Sequence, residues 1–265
     1  MRVALVQLDV DLGRDAAKSR DLAVAKVHEA AEDGAELVLL PELWLNGAFD
    51  PEPWESTAEP LHGETAQLLR EVAVDCGIVL HGGSIVERTP DGKLYNTSLV
   101  FDAEGELLAG YRKIHRFGFD RGEAAVMSSG EHLTTFDLHD VDDSVLTRVG
   151  LATCYDVRFP ELYRGLLDAG AQTVLQVAAW PARRLEHWRT LCRARAIENQ
   201  VYLVACAAVG TQAGLEMSGH SMVIDPWGEI VAEAGDEPTV LHAEIDFELV
   251  EQTRAKFPVL RDRRL

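Results

Sequence analysis

Of the four cysteines in the chain, Cys154 has the surroundings that best suit a nucleophile. It lies in the segment GLATCYDVRFPELYRG, where an apolar run predicted to be a strand ends and a helix is predicted to begin near Pro160. Unpaired backbone N–H groups at such a junction can lower the pKa of a thiol and bind an oxyanion. The alternative is a small core residue, because free cysteine is among the residue types most often buried.

A nucleophilic cysteine usually needs a base, and no histidine in the sequence stands out as one. Glu42 ends the apolar run ELVLLPE, and a carboxylate at the mouth of a buried strand can be desolvated and act as a general base. A charge that reaches solvent at the strand end is the alternative. Lys113 ends LLAGYRK in the same way, and a lone lysine there is more often a surface charge.

The other cysteines, Cys76, Cys192 and Cys206, lie in amphipathic or apolar segments, and we interpret them as packing residues. No two cysteines form a C-x-x-C pair, and the nine histidines are scattered without H-x-x-x-H spacing. These patterns argue against a disulfide framework and against a zinc site. The sequence therefore predicts no metal at the candidate site.

Short apolar runs typical of strands alternate along the chain with longer amphipathic segments typical of helices, as expected for an α/β fold. Strands are predicted at RVALVQLD, ELVLLPE, IVLHGGSIVE, LYNTSLVFD, ELLAGYRKIH, HLTTFDL, SVLTRVGLAT, QTVLQVAA, VYLVACAAVG, GHSMVIDPWGEIVAEA (a hairpin) and TVLHAEID. Helices are predicted at DAAKSRDLAVAKVHEAAEDG, at ETAQLLREVAVDCG, from Pro160, at RLEHWRTLCRARAIENQ and near the C-terminus. Residues 116–131 are predicted to form a long loop. Without linkers or repeats, the pattern predicts one domain with a mixed sheet covered by helices.

The net charge of −19 argues against nucleic acids and anionic membranes as partners, because both require a basic surface. No apolar run approaches the roughly 18 residues of a membrane helix. The N-terminal MRVALVQLDVDLG lacks the pattern of a signal peptide, which predicts a cytoplasmic protein. Small molecules or another copy of the chain are the expected partners.

Three segments, LVLLPELWLNG, GYRKIHRF and CYDVRFPEL, resemble the signature stretches of the nitrilase superfamily, the carbon–nitrogen hydrolases. YNTSLVFDAEGELLAGYRK, RARAIENQVYLVA and GHSMVIDPWGE are also similar to that family, in its order and spacing. The resemblance implies a carbon–nitrogen hydrolase domain at residues 1–246 and a C-terminal helix and tail at residues 247–265, packed on the domain or on a partner. It also implies a four-layer α-β-β-α sandwich that forms a homodimer or larger homo-oligomer through the helices beginning near Pro160 and Leu185.

The family's Glu-Lys-Cys triad maps onto Glu42, Lys113 and Cys154, and its second glutamate maps onto Glu123, with Glu131 as the weaker candidate. The resemblance implies that Glu42 removes the thiol proton and that Cys154 attacks an amide carbon to form a thioester. Lys113 and the backbone N–H of Tyr155 would stabilise the oxyanion. Because each step is acid–base chemistry, no cofactor is expected.

Tyr155 and Asp156 after the cysteine make the chain similar to the small amidases that include omega-amidase and deaminated glutathione amidase. An N-carbamoyl amino acid amidohydrolase, or a non-catalytic binding protein of this fold, is the alternative. Arg158 could bind a substrate carboxylate, or pair with Asp156 or Glu161.

Two further residues have a structural and a functional interpretation. Trp180 could line the acyl pocket or belong to the core. His115 is interpreted as structural, or as support for Lys113 if their strand continues.

Overall fold

The computed structural model describes residues 1–10, 13, 15–140 and 144–264. The strands among these residues are, in chain order, β1 (Arg2–Gln7), β2 (Leu37–Leu39), β3 (Val79–Arg88), β4 (Leu94–Phe101), β5 (Leu107–Arg112), β6 (Thr135–His139), β7 (Val145–Thr153), β8 (Thr173–Ala178), β9 (Tyr202–Ala207), β10 (Thr211–Gln212), β11 (Leu215–Glu216), β12 (Met222–Ile224), β13 (Ile230–Glu233) and β14 (Thr239–Glu244). The α-helices are α1 (Ala16–Glu32), α2 (Trp54–Thr57), α3 (Glu64–Cys76), α4 (Glu123–Val126), α5 (Pro160–Asp168), α6 (Leu185–Asn199) and α7 (Glu248–Lys256). A 3-10 helix at Cys154–Arg158 joins β7 to α5.

Two six-stranded sheets contain all of these strands except β10 and β11, which form a small hairpin. The first sheet has the order β14-β1-β2-β3-β4-β5 and the second has the order β13-β12-β9-β8-β7-β6. In each sheet the three central strands are parallel and the outer strands are antiparallel. Parallel strands are buried on both faces, which is why β2 and β8 are nearly continuous apolar runs in the sequence.

Helices cover the outer face of each sheet. Helix α1 buries Ala23, Val27 and Ala30, which lie on one face of the helix. These residues belong to the same buried cluster as Ala4 and Val6 of β1. Helix α6 packs on β9 and β12 of the second sheet and contacts α5. The predicted α/β sandwich with α-β-β-α layers is therefore confirmed.

The inner faces of the two sheets pack against each other. Leu5 and Leu39 of the first sheet share one buried cluster with Leu175 and Ala205 of the second. The Sγ atom of Cys206 lies 3.4 Å from the backbone oxygen of Leu39 and joins the sheets directly. Cys206 and the fully buried Cys192 are thus packing residues, as the sequence suggested.

Several local predictions are wrong. Strand β5 ends at Arg112 rather than continuing through His115. At the next residue, the backbone oxygen of Lys113 accepts a hydrogen bond from Gly130 N–H instead of from a neighbouring strand. Lys113 and His115 therefore share no strand face. The long loop at residues 116–131 contains the short helix α4, and neither α2 nor the β10–β11 hairpin was predicted.

The C-terminal helix α7 packs on the rest of the same chain. Arg254 donates hydrogen bonds to the backbone oxygens of Ala171 and Gln200, and Gln200 Nε2 donates to the backbone oxygen of Phe257. The division between residues 246 and 247 stays a prediction, and Leu265 of the predicted tail lies outside the described residues. Within the described ranges, no helix combines the length and apolarity needed to cross a bilayer.

Candidate active site

Strand ends bring the predicted site residues together. Cys154 directly follows β7, Ala179 directly follows β8, and Glu42 comes three residues after β2. Ligand sites of α/β sheets form at the carboxyl ends of their parallel strands, where these three residues lie. Lys113 follows the antiparallel strand β5, and Glu123 begins α4.

Cys154 has a backbone conformation that non-glycine residues rarely adopt, with φ at 46°. A side-chain hydrogen bond stabilises this backbone conformation, because Gln176 Nε2 donates to the backbone oxygen of Cys154 at 3.3 Å. Tyr163 donates its hydroxyl hydrogen to Gln176 and so fixes the orientation of that amide. The thiol of Cys154 lies 3.4 Å from the backbone oxygen of Ala179. Such strain persists only when surrounding contacts hold it, and it is concentrated at functional sites.

Lys113 lies between the two glutamates. Its Nζ donates to Oε1 of Glu42 and to Oε2 of Glu123, each at 2.7 Å. Asn96 Nδ2 donates to Oε1 of both carboxylates at 2.8 Å. Sequence reasoning missed Asn96, and the available signal was an amide in the buried strand LYNTSLVFD. The four side chains are nearly inaccessible, with exposed fractions between 0% and 4%.

Backbone N–H groups complete the hydrogen bonding of both carboxylates. Ala179 N–H donates to Oε2 of Glu42 at 2.8 Å, and Phe117 N–H donates to Oε2 of Glu123 at 2.9 Å. Glu131 is exposed and lines a separate surface groove of about 400 Å³ that does not include Cys154. Of the two glutamates considered in this loop, the structure places Glu123 against Lys113.

Burial and charge set the protonation states in this cluster. Burial opposes the charged form of Lys113, but the carboxylates of Glu123 and Glu42 outweigh it and raise the Lys113 pKa well above its usual value. Burial also raises the pKa of Glu123, and the charge of Glu42 adds to this effect, while Lys113 opposes it. Lys113 therefore stays cationic, and Glu123 holds a proton more tightly than an exposed glutamate.

The expectation that the strand-to-helix junction lowers the pKa of Cys154 is wrong. Burial raises that pKa well above its usual value, and the negative charge of Glu42 raises it further. Lys113 lowers it, but not enough to compensate. Cys154 is therefore a neutral thiol near neutral pH.

A narrow pocket leads to Cys154 and is lined mainly by aromatic and arginine side chains. Its lining includes Phe49, Phe117, Tyr155, Arg158, Trp180 and Arg184. The cavity measures about 20 Å³, room for about one water molecule.

Arg158 and Trp180 both lie in this pocket. The Arg158 guanidinium lies 4.8 Å from the centre of the Trp180 ring and 3.3 Å from Nδ1 of His187. In the described part of the chain it pairs with neither Asp156 nor Glu161, so the internal salt-bridge interpretation is wrong. Trp180 is almost fully buried and also lines the pocket. It therefore belongs both to the core and to the pocket wall, the two positions considered from the sequence.

Arg184 is a second pocket arginine that sequence reasoning missed. Its guanidinium lies 5.9 Å from the Phe117 ring, and its charge helps to lower the pKa of Arg158 after burial, the larger cause. Neither arginine pairs with a carboxylate in the described ranges, and two neighbouring guanidinium groups in that state favour an anion. Nothing in the segment WPARRLEHW distinguished Arg184 from the adjacent, exposed Arg183.

Known proteins share the sequence pattern and fold of this chain. The model of the carbon-nitrogen hydrolase family matches residues 2–255. The chain belongs to the carbon-nitrogen hydrolase family. It is a hydrolase that acts on carbon–nitrogen bonds other than peptide bonds, with a small-molecule amide as substrate.

Among the relatives of this hydrolase, the 2-oxoglutaramate amidase of Paenarthrobacter nicotinovorans is 42% identical over 87% of the chain and 79% of that relative. The omega-amidase NIT2 of Homo sapiens is 39% identical over 99% of the chain and 95% of that relative. The similarity to both amidases covers most of the length of each protein.

Solved structures are similar over the whole chain. Nit3 of Saccharomyces cerevisiae, a member of the nitrilase superfamily, has a TM-score of 0.89 at 33% identity and covers 100% of this chain and 97% of its own. A mutant of the amidase from Nesterenkonia sp. AN1, with acrylamide added at its active-site cysteine, has a TM-score of 0.82 at 30% identity, covering 99% of both chains.

Proposed function

We propose that this carbon-nitrogen hydrolase is an omega-amidase that hydrolyses a small amide bearing a carboxylate, through a thioester on Cys154. The observation that carries the proposal is the buried contact of Lys113 with Glu42 and Glu123 at 2.7 Å, beside the thiol of Cys154. Burying three ionisable side chains together costs folding free energy, and such clusters occur mainly at functional sites.

The first half of the reaction forms the acyl-enzyme. Glu42 takes the proton of the Cys154 thiol as sulfur attacks the amide carbon and forms a C–S bond. The carbonyl electrons move to oxygen and give a tetrahedral intermediate. When this intermediate collapses, the C–N bond breaks and protonated Glu42 gives its proton to the departing nitrogen, which leaves as ammonia.

The second half regenerates the enzyme. Glu42 removes a proton from water, whose oxygen attacks the thioester carbon. The C–S bond then breaks, the carboxylic acid leaves, and sulfur recovers its proton from Glu42. Lys113 and the backbone N–H of Tyr155 stabilise the negative oxygen in both intermediates, because a fixed ammonium in a dry site interacts strongly with a developing charge. Glu123 fixes Lys113 from its other side.

Arg158 and Arg184 bind the substrate carboxylate at the pocket mouth. Both guanidinium groups line the cavity that opens on Cys154, and arginine recognises carboxylates through paired hydrogen bonds. The names of the relatives, a 2-oxoglutaramate amidase and an omega-amidase, support an amide at the end of a short dicarboxylic acid.

Ammonia release tests the substrate class. The enzyme should hydrolyse succinamic acid, the half-amide of a four-carbon dicarboxylic acid, and the Cys154→Ala variant should release no ammonia while keeping its fold. A covalent adduct with the mass of the succinyl group should be found on wild-type Cys154 after rapid acid quenching. The Cys76→Ala variant, altered at a cysteine outside the pocket, should keep full activity.

Two results would contradict the proposal. Activity retained by Cys154→Ala would remove the nucleophile. Hydrolysis of N-carbamoyl glycine without hydrolysis of succinamic acid would favour the carbamoylase instead.

We further propose a homodimer or larger homo-oligomer in the cytoplasm, with α5 and α6 at the interface. The family resemblance supports the oligomer. The four cysteines form no disulfide bonds in the described ranges, which supports the location in the cytoplasm. Light scattering coupled to size-exclusion chromatography measures the oligomeric state, and a monomer at micromolar concentration would contradict the proposal.

A further inference from the structure

Asp156 is a fully buried carboxylate that lies behind the candidate catalytic cluster and outside its pocket. Its Oδ2 accepts hydrogen bonds from the Tyr111 hydroxyl at 2.7 Å and from Thr153 N–H at 2.9 Å. Its Oδ1 accepts from His115 N–H at 3.0 Å and contacts His115 Nδ1 at 2.8 Å. Four contacts from three residues satisfy this carboxylate, although no lysine or arginine lies against it among the described residues.

The partners of Asp156 flank the residues that the proposed function places in catalysis. Tyr111 comes two residues before Lys113, and His115 comes two residues after it. Thr153 directly precedes Cys154. One carboxylate therefore links residues on both sides of Lys113 to the turn that carries Cys154.

The His115 ring is fixed in the orientation that this contact requires. It stacks on the Phe159 ring with centres 3.7 Å apart and planes at 6°. Phe159 in turn ends the 3-10 helix that begins at Cys154. With the hydrogen on Nδ1, His115 donates to Asp156, and its backbone N–H makes a second bond to the same oxygen.

We propose that His115 is a positioning residue, which acts through Asp156 to hold Lys113 in register with Cys154. This inference rests on the proposed catalytic roles of Lys113 and Cys154. The hydrogen bonds and ring stacking of His115 go to Asp156 and Phe159, neither of which lines the pocket. Its contribution comes from geometry, because a displacement of about 1 Å in a catalytic group can reduce turnover about 100-fold.

Two substitutions at one position test the role. Asparagine places its Nδ2 close to where histidine has Nδ1, so His115→Asn keeps a donor to Asp156, whereas His115→Leu removes it. We expect His115→Leu to lower kcat for succinamic acid about 10- to 100-fold without raising KM. We expect His115→Asn to recover most of that loss, and His132→Leu, altered at an exposed histidine, to match the wild type.

Alkylation of Cys154 by iodoacetamide gives a second readout that needs no turnover. Lys113 lowers the pKa of Cys154, so its displacement in His115→Leu should slow the labelling of that thiol at neutral pH, relative to Cys76 in the same protein. Tyr111→Phe removes another donor to Asp156 and should slow it also.

Each outcome separates the two proposals. If His115→Asn is as slow as His115→Leu, or if only KM changes, positioning by His115 is wrong while the amidase function stands. If the wild type hydrolyses no amide but labelling still differs between the two variants, the proposed function fails and positioning stands. Unchanged labelling and turnover in His115→Leu would overturn the inference outright.

Discussion

Glu42 and Glu123 accept hydrogen bonds from the same ammonium group, Nζ of Lys113, at equal distances of 2.7 Å. Asn96 also donates to both carboxylates. Lys113 therefore offsets two buried negative charges at once. Removing it leaves both carboxylates without their cation.

Replacing Lys113 by methionine should strongly reduce activity and destabilise the fold. The variant keeps two buried carboxylates without their cation, and breaking a buried ion pair in this way costs about 3–5 kcal/mol. Loss of an oxyanion donor should reduce kcat about 100- to 1,000-fold. Urea unfolding and ammonia release measure the two effects.

Lys93→Met is the matched control for this substitution. Lys93 is an exposed lysine that pairs with Asp91 on the surface, so its loss should change neither quantity measurably. Equal stability of the Lys93→Met and Lys113→Met variants would mean that Lys113 does not balance the buried carboxylates.

Glu123→Gln should change how the free energy of unfolding depends on pH. Burial raises the Glu123 pKa above 4.5, so the folded state holds this proton more tightly than the unfolded state does. The resulting stabilisation is fully present below the unfolded pKa and is lost as pH rises through the folded value. Glutamine does not titrate, so the variant should gain stability relative to the wild type as pH rises from about 4.5.

Denaturant unfolding of both proteins at a series of pH values measures this difference. The difference in free energy reports the titration of Glu123 together with its effect on the charges it contacts, because all other groups are present in both proteins. A difference that stays flat, or that falls with rising pH, would show that the folded pKa of Glu123 is not raised.

Glu42→Gln should make Cys154 easier to alkylate while it strongly slows turnover. The negative charge of Glu42 raises the pKa of the thiol and Lys113 lowers it, so neutralising Glu42 lowers the pKa and increases the thiolate fraction. Turnover should nevertheless fall about 100- to 10,000-fold, because the general base and acid is lost. Iodoacetamide labelling of Cys154 between pH 6 and about pH 9, followed by mass spectrometry, measures the first effect.

The exposed Glu131 provides the comparison, since Glu131→Gln should leave both labelling and turnover unchanged. Slower labelling of Cys154 in Glu42→Gln than in the wild type would mean that Glu42 generates the resting thiolate. The proposed neutral thiol would then be wrong.

The positions of Glu42, Lys113 and Cys154 at the ends of apolar runs could be read from the sequence, although β5, which precedes Lys113, is antiparallel to its neighbour. Their assignment as a triad depended on the family resemblance. Asn96 could not be assigned, since its role exists only where β4 meets residues far away in the sequence. The bond from Ala179 to Glu42 spans 137 residues and leaves no local pattern.

The pKa of Cys154 shows a different limit of sequence reasoning. The argument from local backbone N–H groups considered only the strand-to-helix junction. Burial and the charge of Glu42 come from tertiary packing, and they decide the direction of the shift. A local pattern predicts which groups are near in the chain, but the electrostatic balance depends on groups brought close by the fold.

Arg158→Gln and Arg184→Gln should weaken binding of carboxylate-bearing amides selectively. A charge-assisted hydrogen bond contributes about 1.5–3 kcal/mol, so each substitution should lower kcat/KM for succinamic acid about 10- to 100-fold, mainly through KM. Butyramide has the same chain length without the carboxylate and should lose little. Arg183→Gln, altered at the exposed neighbour of Arg184, should behave as the wild type with both amides.

The ratio of kcat/KM for the two amides separates recognition of charge from loss of packing. Arg158 lies against the Trp180 ring, so a substitution that only disturbed the pocket would slow both substrates alike. If the arginines recognise the carboxylate, the ratio of kcat/KM for succinamic acid to kcat/KM for butyramide should fall in both variants. If succinamic acid and butyramide lose activity equally in both variants, the two arginines shape the pocket and another group binds the carboxylate.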